Sequence, residues 1–240
     1  MQKKILVIDD EQPTLTMFRL FLEAFGYTVL VAASGEEGIA VFEAERPPIV
    51  VTDIKMPQMD GIEVLKRIKA AAPETEVIVI TGHGDIDLAI EALNLDAADF
   101  INKPIQRRAL EQALKRAEER QRTIAGKEEE IQIHDRQTAA VIAVRGVLNA
   151  ASEERVQMAY RQACDLNRRR VVVSFHESAS INGAGLAILA QLLLDARKKD
   201  RQVLVVAPSL NFRRVFEIVG ISRLAPIFDA EGEALPNDTE

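Results

Sequence analysis

The sequence predicts an α/β protein of two successive domains, and three observations carry that reading. The first hundred residues alternate short apolar runs with amphipathic helical patterns, which is the signature of βα units on a parallel sheet. The acidic residues of that half gather where the runs end. The second half repeats the α/β alternation but opens with two adjacent strand patterns, so its sheet has another order.

In the first half the strand runs are KILVID, TVLVA, PIVVTD, EVIVI and DFIN. Between them lie TLTMFRLFLEAF, EEGIAVFEAE, GIEVLKRIKAAA and DIDLAIEALN, each with apolar residues at three- and four-residue steps. Gly26, Gly61 and Pro47-Pro48 punctuate the connections. A long helix follows from Ile105, with Leu110, Leu114, Ala117 and Ile124 as a thin seam interrupted by Gln121. A short coiled coil and a solvated helix packed only at its start both fit that pattern.

The second half reads EEIQIH, a DRQT turn and AAVIAVR. Then come helix SEERVQMAYRQACDL, strand RVVVSF, helix GLAILAQLLLDARKK, strand QVLVVA and helix LNFRRVFEIVG. The expected division is a first domain over 1–122, a linker over 123–129, a second domain over 130–230 and a frayed tail over 231–240.

Charge is unevenly spread. Residues 1–105 hold 9 Lys/Arg against 18 Asp/Glu (−9), residues 106–126 hold 6 against 3 (+3), and residues 127–240 hold 15 against 16 (−1). Neither half has the basic balance of a nucleic-acid-binding module. Arg168-Arg169-Arg170 and Arg197-Lys198-Lys199 read as solvated ends of elements. No run approaches the ~20 apolar residues of a membrane helix. Cys164 is the single cysteine, so no internal disulfide forms, and a cytoplasmic location is expected.

Asp9 and Asp10 end the first strand, Asp53 the third, Thr81 the fourth and Lys103 the fifth. In an open parallel sheet these ends share one edge, where ligands bind. Three clustered carboxylates repel one another and call for a cation, and an all-oxygen set suits Mg²⁺. A lysine and a threonine beside them fit a transferred phosphoryl group.

VIDDE, VVTDIKMPQMDG, VITGHGD and ADFINKP closely resemble the receiver domains of bacterial response regulators. The resemblance implies a flavodoxin-like (βα)5 fold in which Asp53 accepts a phosphoryl group from a partner histidine kinase. It also implies Mg²⁺ held by Asp10, Asp53 and the backbone carbonyl of Lys55, with Asp9 acting through water. Thr81 and Lys103 would engage the phosphoryl group, the Lys103–Pro104 bond would be cis, and Phe100 would be the switching aromatic. In NLDAADF the chain departs from that family, placing Asp96 where a glycine is usual. Phosphatases that use a phosphoaspartate need an acid two residues after the nucleophile. Here that residue is Lys55, so no turnover beyond slow self-dephosphorylation is expected.

VIAVRGVLNAASEERV, VVVSFHESASINGAGLAIL and APSLNFRRVFEIVGISRLAPIF resemble the STAS domain of anti-sigma-factor antagonists. In that family a partner serine kinase phosphorylates the residue after a loop aspartate. Here Asn182 stands for the aspartate, Gly183 for the acceptor and Ala184 for the next serine, with Gly185 kept. Ser178 and Ser180 fall before the acceptor position. The resemblance thus implies a protein-binding output without its own switch, facing a serine-kinase or anti-sigma-like partner. Homodimerisation, a phosphate sink and a nucleotide-binding output remain as alternatives.

Overall fold

The computed structural model describes residues 3–82, 85–124, 130–177, 179–207 and 209–235. The chain divides into two compact units, Met1–Gly126 and Lys127–Glu240.

The first unit runs β1 (Lys3–Ile8), α1 (Gln12–Ala24), β2 (Tyr27–Ala32), α2 (Gly35–Glu45), β3 (Ile49–Asp53), α3 (Gly61–Ala71), β4 (Glu76–Thr81), α4 (Ile86–Asn94), β5 (Asp99–Asn102) and α5 (Arg107–Ile124). Its sheet has the order β2-β1-β3-β4-β5, and every pairing is parallel. Every residue of β3 and β4 is buried, because helices cover both faces. That is why those strands are written as continuous apolar runs rather than alternating ones. Ser34 caps α2 by accepting the Glu37 N–H, and Asp60 caps α3 by accepting that of Glu63.

α5 corrects the sequence reading. Leu110, Ala113, Leu114 and Ala117 are buried in the core that includes Phe18, Ile49 and Ile80. Beside them, Arg116 and Arg120 are also buried. Arg116 donates through Nε to Asp99 at 2.7 Å, and Arg120 binds Glu76 at 2.7 Å and Asp96 at 2.9 Å. The Gln121 side chain reaches the Pro48 carbonyl. The helix is therefore neither a free coiled-coil seam nor packed only at its start: acids on β4, β5 and the turn before β5 draw it down as far as residue 121.

The same network explains the departure at Asp96. Its backbone is left-handed (φ 65°), a conformation that glycine adopts freely and aspartate tolerates. Its carboxylate binds Arg120 and lies 3.4 Å from Lys69. Burial raises its pKa, but Arg120 and then Lys69 outweigh that and hold it below its ordinary value. A glycine here would satisfy the backbone and leave Arg120 short of a partner.

The second unit runs β6 (Glu130–Asp135), β7 (Ala139–Arg145), β8 (Val147–Leu148), α6 (Glu153–Asp165), β9 (Arg170–Phe175), β10 (Ser180–Ile181), α7 (Gly183–Lys198), β11 (Gln202–Val206), α8 (Leu210–Ile218), β12 (Ile227–Phe228) and α9 (Glu231–Ala234). The main sheet has the order β12-β11-β9-β7-β6, with only the β6–β7 hairpin antiparallel. β8 and β10 form a separate parallel pair. Two residues each is too short for a periodicity to register.

The expected frayed tail from residue 231 is also corrected. Glu231 accepts from the Ser174 hydroxyl at 3.1 Å, and Ala234 and Leu235 are buried with Ala139, Val141, Val172, Leu204 and Val206. Residues 236–240 lie outside the described residues, as do residues 125–129 of the expected linker; residues 123 and 124 end α5. No helix among the described residues is long and apolar enough to cross a membrane.

Candidate functional site

Parallel strands deliver Asp9, Asp53, Thr81 and Lys103 to one edge of the first sheet. Asp9 directly follows β1 and is fully buried, its N–H bonded to the Ala32 carbonyl. One carboxylate oxygen accepts the Glu11 N–H at 2.8 Å. The other, Oδ2, has no hydrogen-bond partner and lies 3.6 Å from Lys103 Nζ. Asp53 ends β3, also buried, and its Oδ1 lies 2.9 Å from the same Nζ. Lys103 directly follows β5, its N–H donates to the Thr81 carbonyl at the end of β4, and its bond to Pro104 is cis.

One lysine thus faces two buried carboxylates, with Glu11 a third at 3.8 Å. Burial pushes Asp9 up to about 6, although the Glu11 N–H and Lys103 pull the other way. Asp53 is likewise raised, by burial first, against the opposing pull of Lys103; the charge of Asp10 adds to the rise. Burial favours neutral Lys103, but Asp53 and then Asp9 outweigh it and raise its pKa. The acidic charge of the pocket exceeds what one lysine offsets.

The remaining residues take distinct positions. Asp10 is exposed at the mouth, near enough to Asp53 to act on its charge. The Lys55 N–H donates to the Asp53 carboxylate, while the Lys55 side chain turns outward to Asp85 at 2.8 Å. The buried Thr81 hydroxyl donates to the carbonyl oxygens of Asp85 at 3.4 Å and Gly82 at 3.5 Å. Both contacts are long and easily given up. Phe100 is fully buried in β5. Sequence reasoning missed Glu11 and Asp85, although both are the next acids in the VIDDE and TGHGD stretches. Gly61 is required by contact: a Cβ there would sit 2.1 Å from the Asp53 carbonyl oxygen. Among the described residues no three acidic, histidine or cysteine side chains stand together as a ready metal set.

The second unit has a different kind of site. β10 and β8 pair, and the Asn182 N–H bonds the Leu148 carbonyl at 3.2 Å. Asn182 then caps α7, its Oδ1 accepting the Gly185 N–H at 3.0 Å. Gly185 packs on β8 so closely that a Cβ would meet the Leu148 oxygen at 2.1 Å. Gly183 is half-buried and Ala184 exposed, and neither carries an oxygen on its side chain. Ser180 is buried in β10, and Ser178 lies outside the described residues. Asparagine can cap as aspartate does, so the loop is held without its charge.

Residues 5–115 match the response regulator receiver domain family, and residues 130–234 match the STAS domain family. The first half is similar to the C4-dicarboxylate transport transcriptional regulatory protein DctD of Rhizobium meliloti. The two are 39% identical over 120 residues, 50% of this chain and 26% of that one. It is also similar to the alkaline phosphatase synthesis transcriptional regulatory protein PhoP of Bacillus subtilis, at 35% over 115 residues and 48% of each chain. The chain thus spans about half or less of these curated relatives. A receiver domain structure from Clostridium thermocellum is 39% identical, covering 51% of this chain and 98% of that one, with a TM-score of 0.49. The chain belongs to the response regulators of two-component systems, with a receiver domain followed by a STAS domain.

Proposed function

We propose that a sensor histidine kinase phosphorylates Asp53 and that the STAS domain passes the signal on by binding a protein. The observation that carries the first half is the Lys103 ammonium placed 2.9 Å from Asp53 and 3.6 Å from Asp9. An orphaned buried oxygen on Asp9, the raised Asp53 and the nearby Asp10 fit a divalent cation. Asp10, Asp53 and the Lys55 carbonyl would hold Mg²⁺, with Asp9 acting through water. The ion supplies neutralisation of charge on the phosphoryl oxygens during transfer.

An Asp53 carboxylate oxygen attacks phosphorus as the P–N bond to the kinase histidine breaks. Lys103 follows the charge from the carboxylate to a phosphoryl oxygen. The Thr81 hydroxyl exchanges its two long carbonyl contacts for a phosphoryl oxygen, and Phe100 reports that movement to the output face. Water later cleaves the acyl phosphate, so the chain acts as a cytoplasmic regulator rather than as an enzyme on external substrates.

For the output, the capped loop at Asn182 and the first turn of α7 form the contact surface for a serine-kinase or anti-sigma-like protein. Neither Gly183 nor Ala184 can be phosphorylated, so control falls to Asp53. The expected result is that full-length protein binds its partner differently before and after Asp53 phosphorylation, with a coupling of about 1–3 kcal/mol. Gly183→Glu should weaken binding in both states by placing a charge in the contact. A pull-down or calorimetric titration measures both. Unchanged affinity with Gly183→Glu, together with indifference to Asp53 phosphorylation, would leave dimerisation as the better role for the STAS domain.

A further inference from the structure

The two basic clusters that read separately as solvated ends come together in the second unit. β9 opens on Arg170, in register with Gln202 of β11, and Arg201 donates to the Arg168 carbonyl at 3.5 Å. α7 ends at Lys198 beside that turn, and Arg223 arrives from the turn before β12. Arg197, Arg201 and Arg223 line one concavity of about 370 Å³, walled on its apolar side by Leu193, Leu224 and Pro226.

The pairing of charges is what singles out this hollow. Elsewhere in the unit Arg168 binds Asp135 at 2.6 Å, Lys198 lies 3.4 Å from Asp195, and Arg213 binds Asp229 at 2.7 Å. None of the three arginines of the concavity has a carboxylate at ion-pair distance among the described residues. Asp200 is the one acid on the lining. Three guanidinium groups against one carboxylate leave a net charge of +2 around the hollow, in a domain whose residues 127–240 sum to −1. Like charges round a concave surface repel one another and concentrate anions there.

We propose that this concavity binds a small organic phosphate. Guanidinium forks match phosphate oxygens bidentately, and the apolar wall takes the organic portion. The volume lies in the range of small-molecule sites. A hollow rather than a basic stripe, in a domain of net negative charge, argues against a nucleic-acid strand. The site is independent of the Asn182 loop. α7 is 16 residues long, so its two ends stand about 24 Å apart. The loop lies at one end and the arginines at the other.

Calorimetric titration of the full chain at low salt tests this, with pyrophosphate, ATP and adenosine as probes. Pyrophosphate and ATP should bind saturably at one site per chain, ATP more tightly, and adenosine should not bind. The double variant Arg197→Ala/Arg223→Ala should weaken ATP binding tenfold or more, while Arg169→Ala leaves it within twofold. Failure of both phosphate probes to saturate overturns the proposal. So does an equal loss with Arg169→Ala, which would mean diffuse surface charge. Binding lost with Gly183→Glu but kept in the arginine variant would place the ligand at the loop and also overturn it. Affinity for single-stranded DNA that climbs with length would identify a nucleic-acid surface instead.

Discussion

Asp53→Asn should abolish phosphoryl transfer to the intact chain. With acetyl phosphate and Mg²⁺, wild type should gain the mass of one phosphoryl group, and the variant should gain none. The substitution keeps shape and removes only the nucleophilic charge, so no other acid of the cluster is positioned to replace it. Asp9 is turned to the Glu11 N–H, and Asp10 is exposed at the mouth. The variant should also melt no lower than wild type. Burial raises Asp53 above its unfolded pKa, so its ionisation weighs against the folded state by an amount that grows as pH rises from the unfolded to the folded value and stays constant above it. Equal labelling of variant and wild type by mass spectrometry would remove Asp53 as the acceptor.

Arg116→Ala should be the most damaging single change to stability in the receiver domain. Arg116 and Asp99 are both almost completely buried, 2% and 0% exposed. Removing the arginine takes from a fully buried carboxylate its main counter-charge and leaves only the weaker pull of Arg120. Breaking one side of such a pair costs about 3–5 kcal/mol. For a domain of this size that lowers the melting temperature by on the order of 10–20 °C. Asp99 already sits above its ordinary pKa because burial outweighs Arg116, and its Oδ1 has no hydrogen-bond partner. The pair is therefore imperfectly matched, and replacing both sides with apolar groups should recover most of the loss. Calorimetry of Arg116→Ala against Asp99→Leu/Arg116→Met checks this. A double variant as unstable as the single one would show that the stranded charge of Asp99 is not what carries the loss.

The phosphoacceptor site is legible in the sequence because its residues break the local pattern. A carboxylate or lysine at the end of an apolar run is conspicuous, and parallel strands place all such ends on one edge. Arg116 and Arg120 give the opposite case. On a helix rich in Arg and Glu they look like solvent-facing charge, and their acids lie 17, 44 and 24 residues away. Only the fold brings those partners together. The arginine concavity is hidden for the same reason, since its three members come from α7, the residue before β11 and the turn before β12. The Asn182 loop falls between. Its shape is written in Asn-Gly-Ala-Gly, but the close seat of Gly185 on Leu148 depends on a two-residue strand that leaves no periodic trace.

The short helix at Glu231–Ala234 has a practical consequence for how the output domain can be prepared. Ala234 and Leu235 help cover a sheet face made by Ala139, Val141, Val172, Leu204 and Val206. A fragment stopped at residue 230, where the sequence pattern alone suggests cutting, would open that face to water. Exposed contiguous apolar surface of this kind promotes self-association. Such a fragment should sediment as oligomers or aggregate, whereas one carried through residue 235 should not. An association seen only in the shorter fragment would come from the cut and say nothing about the native assembly.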